Sequence, residues 1–116
     1  SVGYGVVTVA PGDPLARPGQ TATTNVLSVG ADVGPGGFGG FGQNLAAAED
    51  WSDFDGLQFW MHGTGSGAVL QSELLDGSRA GSTSADGERF DTTFTDDWTG
   101  WRLVQLPFAA YQPATD

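Results

Sequence analysis

Cysteine is absent from all 116 residues, which excludes disulfides and thiolate-bound metals and leaves the redox compartment unreadable from this chain. Lysine is absent as well. Four arginines stand against 14 acidic side chains, for a net charge of −10. That balance argues against nucleic acid and anionic membrane as partners, because both are held by clustered basic groups. Without lysine there is also no phosphate-binding loop. The single histidine finds no second His or Cys to complete a transition-metal site. No apolar run approaches the length of a membrane span, and no signal peptide is recognisable, as expected of a mature or excised module.

What remains points to β structure. Nineteen glycines, with charged residues at only 16% and apolar residues at 39%, argue against both a helical bundle and a disordered charged tail. The length suits one compact domain spanning 1–116 with a modest core. An acidic surface fits a neutral ligand or a cation and favours solubility outside the cell. Strands are expected over 2–9, 25–33, 56–62, 67–75, 88–94 and 101–108, separated by turn-rich segments such as Pro11-Gly12-Asp13-Pro14 and Gly34-Pro35-Gly36-Gly37. In the second of these strands, Leu27, Val29, Ala31 and Val33 form the more apolar set and are expected to face the core. A further strand from Phe38 to Leu45 and a short helical turn over 45–49 are weaker expectations.

The period of two also sorts side chains by face. Leu57, Phe59 and Met61 alternate with Gln58, Trp60 and His62. Leu70, Ser72 and Leu74 oppose Gln71 and Glu73, and Phe90, Thr92 and Phe94 oppose Arg89, Asp91 and Thr93. Val104, Leu106 and Phe108 point inward, leaving Leu103 and Gln105 outward. If these strands share one sheet, its outer face collects Gln58, Trp60, His62, Gln71, Glu73, Arg89, Asp91 and Gln105, with Tyr111 extending the rim. Amides, carboxylates and a guanidinium each engage two hydroxyls, while an indole ring stacks on the apolar face of a pyranose. The competing reading is a solvated sheet face on which Arg89 pairs with Glu73 or Asp91. Trp51, Phe54, Trp98 and Trp101 lie beside acidic or glycine turns, where aromatic rings more often pack than bind.

Several of these segments follow one another in a specific order. Asp50-Trp51-Ser52-Asp53-Phe54-Asp55-Gly56-Leu57-Gln58-Phe59-Trp60 leads to Gly63-Thr64-Gly65-Ser66-Gly67, then to Asp86-Gly87-Glu88-Arg89-Phe90, and then to Gly100-Trp101-Arg102-Leu103-Val104-Gln105-Leu106-Pro107-Phe108. From about Asn25 to Tyr111 the chain resembles the family 11 carbohydrate-binding modules and related galactose-binding-like β-jelly-roll domains of secreted bacterial glucanases and β-glucosidases. The resemblance implies a β-sandwich of the jelly-roll type. It also implies noncatalytic binding of β-glucan and secretion alongside a glycan-active enzyme. The resemblance leads to the expectation of further strands after the last matched segment and of an acidic lead-in strand, neither of which is expected within residues 1–116. A sandwich lacking terminal strands would expose a sheet edge for a second chain or domain, so a structural or self-assembling role is the alternative.

No cofactor is required for such binding. Related jelly rolls hold a structural calcium, and Asp50, Asp53, Asp55, Asp76, Asp86, Asp96 and Asp97 offer loop carboxylates for one. A helix-loop-helix calcium loop fails at its first position, Trp51, and at its last, His62. Gly37-Phe38-Gly39-Gly40-Phe41-Gly42 matches the spacing of a dinucleotide-binding loop, but an all-β context supplies neither its strand nor its helix. Thr64 replaces the first glycine that a nucleophile elbow around Ser66 needs. Glu73 and Asp91 are the one carboxyl pair to consider for glycoside hydrolysis, and on a flat sheet beside an arginine they suit recognition better than cleavage.

Overall fold

The computed structural model describes residues 2–42, 45, 49–76 and 88–114. Within them the chain is nearly all β: strands β1 (Val2–Val9), β2 (Thr24–Ala31), β3 (Gly56–Thr64), β4 (Val69–Asp76), β5 (Glu88–Thr95), β6 (Thr99–Pro107) and β7 (Gln112–Pro113), with one 3-10 turn, Phe108–Ala110. The backbone contacts divide into two compact units, Ser1–Ala46 and Ala47–Asp116.

In the first unit β1 and β2 form an antiparallel ribbon, in register from Val2 opposite Ala31 to Val9 opposite Thr24. The link between them turns tightly. Asp13 donates its N–H to Ala10, Ala16 donates to Asp13, and Gly12 and Gly19 take positive φ. The Gln20 amide then donates to the carbonyls of Val9 and Ala22 at 2.8 and 3.0 Å, tying the loop to both strand ends. The expected core face of β2 is not found. Leu27 and Val29 stand opposite Val6 and Tyr4, and all four are exposed. Strand β2 also ends at Ala31, two residues early, before the positive-φ glycines 34 and 36 reverse the chain. Residues 38–42 and 45 form no strand, and Phe38 is 96% exposed, because the glycines around it give a ladder nothing to pack. The expected helical turn at 45–49 falls mostly outside the described residues.

The second unit holds two antiparallel sheets, β3-β6 and β4-β5-β7. Their apolar faces share one core: Val104, Leu106 and Tyr111 are buried, and Phe59, Met61, Leu74, Phe90, Phe94, Trp98 and Phe108 pack against them. Phe59 from one sheet meets Phe94 from the other with ring centroids 6.0 Å apart. This is sheet-on-sheet packing, and the period-two alternation read from the sequence is what makes each strand two-faced. The β3–β6 pairing runs from Gly56 opposite Pro107 to Thr64 opposite Thr99. The backbone approaches closely at Gly63, where a Cβ would lie 2.5 Å from the Trp98 carbonyl oxygen, so only glycine fits.

Candidate functional site

The sheet partition decides which polar groups can act together. Gln58, Trp60 and His62 on β3 face outward, opposite Gln105, Leu103 and Trp101 on β6. Their other neighbours along each strand, Phe59, Met61, Val104 and Leu106, all turn to the core. Trp60 is 37% exposed at the centre of this face. The Gln105 amide donates to the Gln58 carbonyl oxygen at 3.3 Å, and the His62 ring meets Trp101 at right angles with centroids 5.3 Å apart. Two indoles, an imidazole and two amides therefore line one face of a two-stranded ribbon.

Gln71, Glu73, Arg89 and Asp91 lie elsewhere. They occupy the outer face of the β4-β5 pair, where Glu73 stands opposite Asp91, Gln71 opposite Thr93 and Arg89 opposite Leu75. The Gln71 amide donates to Asp91 Oδ2 at 3.1 Å. Because the two sheets press their apolar faces together, these outer faces point away from each other. The expectation of one continuous polar surface is corrected accordingly: the eight side chains form two groups of four. Tyr111 is corrected too. It is 9% exposed, and its hydroxyl sits 2.7 Å from the Ser72 hydroxyl inside the core, so it cannot extend a rim.

The turn aromatics divide as well. Trp51 stacks on Phe108 at 6.1 Å, and Trp98 is layered between Phe94 and the Arg102 guanidinium, which lies 4.6 Å from its ring centre. Phe54, expected to pack, is 65% exposed. Trp101 was expected to plug the sandwich, yet strand parity with Leu103 and Gln105 puts it on the outer face beside His62. The alternation of Trp101, Leu103 and Gln105 with Arg102, Val104 and Leu106 is the sequence signal for this placement.

One buried carboxylate organises the end of β3. Asp96 accepts from the Thr64 hydroxyl at 2.7 Å, the Ser66 hydroxyl at 3.0 Å, and the N–H groups of Thr64 and Gly65 at 3.0 and 3.2 Å. Its own backbone bonds Ala68 and Gly67, so the β3–β4 and β5–β6 turns are clamped together. The Thr64 hydroxyl above all, then Ser66 and the two N–H groups, hold its carboxyl at about 2 against the burial that raises it. With its lone pairs taken by protein donors, Asp96 has little left for a cation. Among the described residues no group of three or more His, Cys, Asp or Glu side chains converges on a metal-sized space, and Asp86 lies outside them.

Comparison with protein families matches residues 15–116 to the family described as carbohydrate binding domain (family 11). No curated protein and no solved structure matches the chain.

Proposed function

The chain belongs to carbohydrate-binding family 11, and from that premise we propose that it binds a β-glucan-type polysaccharide on the outer face of β3 and β6, targeting a secreted glycan-active enzyme to its substrate. Carbohydrate-binding domains are noncatalytic binding modules, so the chemistry required of this face is recognition alone. The observation that carries the reading is the outward indole of Trp60, flanked by Gln58, His62, Trp101 and Gln105. A pyranose has apolar C–H faces and an equatorial rim of hydroxyls. An indole covers the first, while amides and imidazole exchange hydrogen bonds with the second. Among the described residues β3 and β6 carry only His62 and Arg102 as ionisable side chains, and the exposed Arg102, on the opposite side of β6 from Trp101 and Leu103, turns to Trp98 and Asp97. An uncharged face on a chain of net charge −10 suits an uncharged polymer. The family match crosses the division between the two units, which supports treating residues 15–116 as one module.

Affinity electrophoresis or calorimetry with soluble β-glucan tests the reading, with Trp60→Ala as the discriminating variant. A second reading is favoured by a different observation. Strand β6 has β3 as its only partner among the described residues, and beside it runs a groove lined by Phe94, Trp98, Arg102 and Leu103 through Leu106. An open edge of that kind suits a strand from another chain or domain. A structural module of this sort would show concentration-dependent association and no response to glycan.

A further inference from the structure

We propose that His62 makes saccharide binding on the β3-β6 face pH-dependent, with neutral imidazole binding uncharged glucan and imidazolium releasing it; this rests on the reading in the preceding subsection. The ring lies on the same side of β3 as Trp60 and against Trp101, 5.3 Å away and perpendicular to it. Neutral imidazole presents one donor and one acceptor, which complement a hydroxyl that both accepts and donates. Protonation converts the acceptor into a second donor. It also places a charge on the face that a polysaccharide must strip of water, and a neutral glucan returns no opposite charge.

The surrounding charges leave His62 as the titrating group in this position. On β3 there is no other ionisable side chain, and on facing β6 the only one is Arg102, which lies over Trp98 and 3.5 Å from Asp97. At the end of β3 the Asp96 carboxylate is engaged by Thr64, Gly65 and Ser66, which hold it at about 2. Histidine is the side chain whose ordinary titration falls between about pH 5 and 8.

The test is calorimetry of the full chain with soluble mixed-linkage β-glucan at pH 5 and pH 8. Binding about tenfold weaker at pH 5, the loss expected for one hydrogen bond, supports the proposal when His62→Asn shows the same affinity at both values. Equal wild-type affinity at the two values overturns it while leaving glucan binding intact. A pH response that persists in His62→Asn also overturns it. Absence of binding at either pH removes the underlying reading and the inference with it. Because the chain has one histidine, its imidazole resonances give a second measurement that needs no variant. Linkage requires saturating glucan to lower the pH at which that ring titrates, and an unchanged titration contradicts the proposal.

Discussion

Replacing Trp60 by alanine removes the ring on which the binding surface depends, and its cost follows from exposure. A tryptophan side chain presents about 250 Å² when fully open. The 37% that Trp60 exposes therefore amounts to about 90 Å² available to a ligand. At about 25 cal/mol/Å², covering that area is worth about 2 kcal/mol, a factor of about thirty in affinity. A sugar that covers one ring face would realise part of it, so Trp60→Ala is expected to weaken glucan binding by about five- to thirtyfold. The fold should survive, since the ring faces away from the core formed by Phe59, Val104 and Leu106. Affinity electrophoresis in gels containing β-glucan reads the loss, with Glu73→Ala on the opposite sheet as the comparison. Unchanged mobility shift in Trp60→Ala together with its loss in Glu73→Ala would refute the assignment and move the site to the β4-β5 face.

Two further predictions concern stability. Ser72→Ala and Tyr111→Phe should each cost about 1–2 kcal/mol by leaving one hydroxyl in the core without its partner, and the double variant should cost less than their sum; chemical denaturation measures all three, and full additivity would show that the 2.7 Å contact contributes nothing. Neither substitution should alter glucan affinity, because Tyr111 is buried. Asp96 has a depressed carboxyl, so its contribution is fully present above about pH 4, the ordinary carboxylate value, and is lost as pH falls through about 2. Thermal midpoints measured from pH 2 to pH 7 should drop across that window in the wild type and change less in Asp96→Asn, whose midpoint at neutral pH is already lower; a parallel drop in both would contradict the clamp.

Most strands were legible because each has a core face and a wet face. Alternation of Leu57, Phe59 and Met61 with Gln58, Trp60 and His62 needs no knowledge of partners, and β3 begins at the expected Gly56. Sheet membership was not legible in the same way. Alternation states which side of a strand is wet but not which strand lies beside it, and pairing depends on contacts far apart in sequence. That is why Gln71 and Asp91 were expected beside Trp60 although they belong to the other sheet. The β1-β2 ribbon failed for a related reason: Leu27 and Val29 are apolar enough for a core, but their cross-strand partners Val6 and Tyr4 share their exposure. For Tyr111 a clue existed. Ser72 interrupts an otherwise apolar inner face between Leu70 and Leu74, and a hydroxyl there calls for a buried partner, which Tyr111 supplies. Asp96 offered less warning, since nothing in the run of loop aspartates distinguishes the one that four donors enclose.

The central claim, that the outer face of β3 and β6 receives the saccharide, is tested most directly by following the four indole N–H resonances of the isotope-labelled chain during titration with β-glucan. Trp60 and Trp101 should shift progressively and saturate together, while Trp98, bonded to the Met61 carbonyl and covered by Arg102, should stay in place. Shifts confined to the amides of Gln71, Glu73 and Asp91, with both outward indoles unmoved, would contradict it.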